Sequence, residues 1–149
     1  MHVNNIVETV NRSFYALKTL RAHGLNGQAL WDVTRATLVA QLLYASPAWW
    51  GFLKADDKSK LQSLLTKAQR YGYLPYKFDT LDTLCESFDQ TLFHSTMYNT
   101  KHVLHQLLPP PKETVYNLRH RSHNLTIPSG VTTTMKQNFI NRKLFDDIY

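Results

Sequence analysis

Ala55-Asp56-Asp57 places two adjacent carboxylates in the pattern with which nucleotidyl-transfer sites hold paired Mg²⁺ ions. Such ions clamp the attacking and leaving oxygens of the transferred group. That chemistry needs an aromatic residue ahead of the Ala-Asp-Asp and apolar strands on both sides. Here Lys54 precedes it, and Lys58 and Lys60 follow within a helical pattern. Acids in the first turn of a helix are explained by the helix dipole alone. Asp56 and Asp57 are therefore assigned to a helix start, and the sequence offers no catalytic residue. Two histidine pairs, His102 with His105 and His120 with His123, share a spacing of three. Four imidazoles could bind zinc, but no carboxylate or cysteine pattern joins them, so no metal site is assigned. The single cysteine, Cys85, lies on an apolar stripe and reads as a small core residue. Asn11-Arg12-Ser13 and Asn124-Leu125-Thr126 match a glycosylation triplet that is common by chance.

Charge supplies a second class of chemistry. Seventeen Lys and Arg against eleven Asp and Glu give a net charge of +6 over 149 residues, and seven histidines could add to it. A basic balance favours polyanionic partners, nucleic acid first, through counterion release from phosphates. The segment from Lys112 through Arg119, His120, Arg121 and His123, with Tyr116 nearby, suits such contact. Arginine can bond phosphate and stack, and tyrosine and histidine can stack on bases. The same segment reads equally as a solvated connector. Lys60, Lys67 and Arg70 form a second basic stripe, and Lys18 and Arg21 sit at a helix end.

The elements that must position these groups are helical. Ile6, Val10, Phe14, Leu17 and Leu20 recur at steps of three and four, and Gly24 stops that helix. Asn26-Gly27 restarts the chain into a second helix reaching about Tyr44. Its run from Ala36 to Ala45 is apolar on nearly all sides, which predicts a central position. Pro47 ends it by pushing Ser46 out of the helical region. The aromatic run Trp49-Trp50-Gly51-Phe52 follows, and with Tyr44 it is expected to be core or anchor, packed between the second and third helices. A base-stacking role for one tryptophan is the other reading. A third helix spans Asp56 to Tyr71, closed by Gly72, with Leu61, Leu64, Leu65 and Ala68 inside and the basic stripe away from that face. Leu81, Leu84, Cys85, Phe88 and Leu92 stripe an acidic helix carrying Asp79, Asp82, Glu86 and Asp89. A short helix over His102 to Leu108 ends at Pro109-Pro110-Pro111, and Tyr116 to Pro128 is extended. Thr132 to Thr134 cap a final helix bearing Ile140, Leu144 and Ile148. The expected fold is all-α, with five or six helices: a three-helix region over 1–75, then a helical tail over 76–149 with an extended connector around 109–130.

Size and composition bound the rest. The chain is 43% hydrophobic with 5 Gly and 6 Pro, which excludes disordered, collagen-like and linker-like classes. One cysteine excludes a disulfide framework. No apolar stretch reaches the roughly 20 residues of a membrane span, and the first residues lack signal-peptide character. The expectation is a soluble intracellular protein, cytoplasmic or nuclear, without a membrane partner.

Several stretches in order carry a resemblance. They are Phe14-Tyr-Ala-Leu-Lys-Thr-Leu-Arg-Ala-His-Gly24, then Leu43-Tyr-Ala-Ser-Pro-Ala-Trp-Trp-Gly-Phe52, then His102-Val-Leu-His-Gln-Leu-Leu-Pro109. Tyr116-Asn-Leu-Arg-His-Arg-Ser-His-Asn124 and the ending Leu144-Phe-Asp-Asp-Ile-Tyr149 continue the series. Together they resemble the C-terminal part of the reverse transcriptases of non-LTR (LINE-type, jockey-like) retrotransposons. In that family these segments follow the polymerase palm and form a helical thumb and a C-terminal tail. Tyr44-Ala-Ser-Pro-Ala-Trp-Trp-Gly51 is the most specific part, since two tryptophans and a proline at fixed spacing rarely coincide. The family's catalytic box, aromatic-Ala-Asp-Asp on a palm hairpin, has no counterpart, so no catalytic residue and no Mg²⁺ site carries over. What the resemblance implies is a duplex-holding role for the basic helices, with an RNA–DNA or RNA duplex and the parent's palm domain as partners. A thumb without its palm is also expected to expose apolar area and to self-associate. The alternative function is a small helical protein-interaction module, using the acidic helix and the aromatic run as contact surfaces.

Overall fold

The computed structural model describes residues 2–113 and 123–146, and among them the regular structure is helical throughout. The elements are α1 (His2–Ala22), α2 (Gly27–Thr34), a π-helical turn (Arg35–Val39) and α3 (Ala40–Leu43). They continue with α4 (Ser46–Trp49), a 3₁₀ turn (Trp50–Phe52), α5 (Ala55–Arg70) and α6 (Leu81–Tyr98). A second 3₁₀ turn (His105–Leu107), α7 (Thr133–Lys136) and α8 (Phe139–Leu144) complete the order. With α2 through α3 counted as one bent helix, five helices among the described residues exceed a single turn, within the expected five or six.

The chain packs as two units. One comprises Met1–Ser46 with Leu53–Cys85, the other Pro47–Phe52 with Glu86–Tyr149.

In the first unit, α1 buries Val3, Val10, Phe14 and Leu17, and α5 buries Leu61, Leu64, Leu65 and Ala68. The two helices run alongside one another in the same sense: Lys67 reaches Phe14, and Arg21 reaches Tyr71. Leu20, assigned by spacing to the buried stripe, is exposed; it lies in the last turn, beyond the buried Leu17. Both helices close through the same hydrogen-bond pattern around a left-handed glycine. Leu25 N–H donates to the Leu20 carbonyl and Gly24 N–H to Arg21. In α5, Tyr73 N–H donates to Ala68 and Gly72 N–H to Gln69, with Gly72 at φ +75°. Glycine meets that φ without the steric cost a Cβ would bring.

The second helix runs from Gly27 to Leu43 with a wide turn inside it, where Ala40 N–H donates to Arg35 five residues back. Residues four apart drift by about 40° per step around a regular α-helix. A wider turn takes drift back, and Leu30, Thr34, Leu38 and Leu42 are all buried on one line. Pro47 does not terminate this helix. The chain breaks at Tyr44, whose ψ is 120°, and at Ala45, whose φ is +52°; Pro47 then occupies the first turn of α4. Its missing N–H costs nothing in a first turn.

The second unit is organised on the later turns of α6. Phe93, Phe139 and Leu144 form its buried cluster, with Leu92, Met97, Leu104, Leu108, Leu125, Ile140 and Phe145 packed against them. Phe88, expected inside, is about half exposed, and Asp89 is buried in its place. His102 to Leu108 holds turns and one 3₁₀ element instead of an α-helix. Near the prolines, Pro111 pairs antiparallel with Leu125, through Lys112 N–H to Asn124 and Thr126 N–H to Pro110. Thr132 caps α7 as expected, accepting from Met135 N–H, and Asn138 caps α8. The aromatic run of Pro47–Phe52 belongs to this unit and not to the space between the second and third helices. Trp50 is buried, Trp49 is half-buried, and their rings meet edge-on at 5.9 Å. Tyr44, read as core or anchor, is 78% exposed, because the break after Leu43 carries it off the helix's buried line.

Candidate nucleic-acid interface

The sequence assigned contact with a polyanion to cations on two helices and a connector. The structure gathers some of them and separates others. Arg21, in the last turn of α1, donates from Nη1 to the Tyr71 carbonyl at 2.6 Å, and its guanidinium lies 4.5 Å from the Tyr73 ring centre. Lys67 extends its ammonium over Phe14 at 4.7 Å, and Arg70 sits over Tyr71 at 5.4 Å. The rings form a series of their own: Phe14 to Tyr73 at 6.1 Å, and Tyr73 to Tyr71 at 6.2 Å and 71°. Three cations and three rings thus gather where the C-terminal end of α5 lies against α1. Cations there also face the negative ends of two helix dipoles, which stabilises them in place.

Among the described residues, Lys18, Arg21, Lys67 and Arg70 make no ion pair with a carboxylate. Lys18 is exposed one turn before Arg21. Lys60 stands apart. It lies near the start of α5 and pairs with Asp57 at 3.3 Å, an exposed i,i+3 contact. Asp56 and Asp57 occupy the first turn of α5, where the sequence assigned them. Lys67 is not directed wholly away from the packed face, since Phe14 holds its ammonium. Arg119 and Arg121 lie outside the described residues, as do Tyr116 and His120; Lys112 is exposed.

His102, His105 and His123 serve structure. Among the described residues no cluster of His, Cys, Asp and Glu could hold a metal ion. His123 is buried: Nδ1 accepts from Leu125 N–H, and Nε2 donates to the Leu144 carbonyl at 3.1 Å. Its ring meets Phe93 edge-on at 5.8 Å. His105 bonds the Thr96 carbonyl through Nδ1 at 2.8 Å, and His102 Nδ1 accepts from Leu104 N–H.

Sequence reasoning missed a charged node in the second unit. Arg142, on α8, donates from Nε to Asp89 Oδ2 at 3.2 Å and from Nη2 to the same oxygen. Its Nη1 donates to the Gln137 carbonyl at 3.0 Å. Lys143 beside it is buried and donates to Glu86 at 2.6 Å and to Asp146 at 2.5 Å. Gly51 fits this node because a Cβ there would collide with the Arg142 guanidinium and the Gln137 carbonyl. Burial pushes the Asp89 carboxyl above its ordinary value, against the opposing hydrogen bond and charge of Arg142. Burial also pulls Lys143 down, but the bonds and charges of Asp146 and Glu86 outweigh it and leave Lys143 above its ordinary value. The sequence carried one signal of this pairing, Arg142-Lys143 on a short helix with acids at 86 and 89, but 53 residues separate Asp89 from Arg142.

No family model matches the chain, and no curated protein or solved structure matches it. Among the described residues no helix is long and apolar enough to cross a membrane.

Proposed function

We propose that this chain is the thumb and C-terminal tail part of a non-LTR retrotransposon reverse transcriptase. It would hold an RNA–DNA or RNA duplex through phosphate contacts and catalyse nothing by itself. The observation that carries the nucleic-acid part is the cluster of Arg21, Lys67 and Arg70 on Phe14, Tyr71 and Tyr73, without a carboxylate partner. Cations held on rings keep N–H groups available for phosphate, and phosphate contacts position a duplex without reading its sequence. The parentage rests on the sequence resemblance. Work on nucleic acid places the protein in the cytoplasm or nucleus, beside a palm domain that carries the catalytic carboxylates and their Mg²⁺.

The test is the salt dependence of binding to an RNA–DNA hybrid. Each phosphate contact contributes about 0.9 to the slope of log K against log salt on B-form DNA, so three contacts contribute roughly two to three. Replacing Arg21, Lys67 and Arg70 with Ser should flatten the slope by that amount and leave binding indifferent to sequence. If the same change at Lys112, Arg119 and Arg121 flattens it instead, the connector is the contact. If wild type binds no hybrid, the protein-interaction module becomes the function. The half-exposed Phe88 on α6 favours that second reading.

A further inference from the structure

We propose that Tyr71 is a stacking platform for an unpaired nucleotide at a strand end, with Arg21, Lys67 and Arg70 taking the adjoining phosphates. This inference rests on the nucleic-acid reading above and adds the form of nucleic acid that the cluster accepts. The Tyr71 backbone is fixed from two directions. Its N–H donates to Lys67 within the closing turn of α5, and its carbonyl accepts from Arg21. The glycine that follows locks the turn, and Tyr73 behind it is buried. Tyr71 nevertheless remains 46% exposed, an aromatic residue on a fixed backbone.

Stacking on such a ring requires a base with a free face. Inside a duplex both faces of each base are already covered by neighbours, and at a blunt end the base is held in its pair, so an unpaired nucleotide is the one free to lie on the ring. Stacking on an aromatic side chain strengthens binding by roughly tenfold or more per base and tolerates any base, because every base has a π face. A base that stacks on the ring takes the place of the Arg70 guanidinium, which is exposed and swings onto the adjoining phosphate. Arg70 stands over the Tyr71 ring itself, and Arg21 reaches the carbonyl of the same residue. A guanidinium can stack on a base and bond a phosphate at once, which lysine cannot. The three cations are also compact, lying in the last turn of α5 and the last turn of α1, which suits a strand end better than a long duplex track.

The experiment is fluorescence anisotropy with the full chain on three probes. They are a blunt RNA–DNA hybrid, the same hybrid with a short ribonucleotide overhang, and the same with a deoxyribonucleotide overhang. Wild type should bind at least one overhang roughly tenfold more tightly than the blunt hybrid, the increment of one stacked base. Tyr71→Ala should bring the two affinities close together, and Tyr71→Phe, which keeps the ring, should retain the preference. Preference for one overhang sugar over the other identifies the strand and supports the platform. Equal affinity of wild type for blunt and overhang probes overturns it, as does a preference that survives Tyr71→Ala. If the affinities are equal but the salt slope is steep, only the platform falls and the duplex-holding function stands. If no probe binds with salt dependence, both fall.

Discussion

The two units use the same residue types in opposite ways. In the first, Arg21, Lys67 and Arg70 rest on aromatic rings, Arg21 also on the Tyr71 carbonyl, with no carboxylate partner among the described residues. In the second, Arg142 and Lys143 are consumed by Asp89, Glu86 and Asp146, with Asp89 and Lys143 buried. A cation paired inside a fold has little left to offer a ligand, and removing it strands a buried charge. A cation on a ring has a weak internal contact and a large capacity for phosphate. The distinction that matters for function is thus the partner a cation already has.

That contrast breaks most sharply at Arg142. Arg142→Ala should cost the second unit about 3–5 kcal/mol, because Asp89 would remain buried without its partner. Trp50→Ala should cost a similar amount, about 3–5 kcal/mol, as a large buried ring is lost. Trp49→Ala should cost clearly less, since that ring is only half-buried. Urea unfolding of the three variants measures all of this. Equal effects at Trp49 and Trp50 would show that the aromatic run is not sorted as the structure sorts it.

Gly51→Ala is the next test in size. The added methyl would push on the Arg142 guanidinium and the Gln137 carbonyl. Overpacking of this kind costs about 1–3 kcal/mol. Combining it with Arg142→Ala should give less than the sum of the two effects, since part of the obstruction has gone. Strict additivity would separate Gly51 from the charged node.

The pH dependence sharpens the same point. Asp89 titrates above its ordinary 3.8 in the folded state, so its contribution to stability is complete below 3.8 and is lost as pH rises through the raised folded value. The stability of wild type relative to Asp89→Asn should therefore decline as pH climbs from 3.8 through that window. Removing Arg142, whose charge and hydrogen bond hold the carboxyl down, should extend the decline to higher pH. Lys143 lies above its ordinary 10.5, so its contribution is complete below 10.5 and is lost as pH rises through the folded value. Lys143→Met should flatten that alkaline loss. Denaturant midpoints across a pH series check both.

The smallest structural effect is expected in the first unit. Replacing Lys67 and Arg70 with Ser should leave the thermal melt nearly unchanged while weakening hybrid binding. Leu61, Leu64, Leu65 and Ala68 carry the packing of α5, and neither cation holds a buried carboxylate. A large loss of stability would mean that the ring contacts hold the helix end and that the cations are not free for phosphate.

The sequence by itself determined the helical class, the buried face of α5, the glycine ends of α1 and α5 and the Thr132 cap. Each depends on residues within a turn or two of one another, where apolar spacing and backbone conformation act directly. It also placed Asp56 and Asp57 at a helix start, since that assignment needs only the neighbouring lysines and the dipole. Tertiary structure decided the rest. Whether Phe88 or Asp89 points inward depends on Arg142, 53 residues beyond Asp89. The aromatic run packs with the C-terminal unit because Ala45 turns the chain and Gly51 admits Arg142, neither of which has a periodic signature. The basic residues read as one stripe were divided in the same way. Lys60 met Asp57 on its own helix, while Lys67 met Phe14 of α1 and Arg70 met Tyr71 just past the end of α5. Spacing along one helix records a pair such as Lys60 with Asp57, but the partners met across helices are set by packing, of which that spacing carries no record.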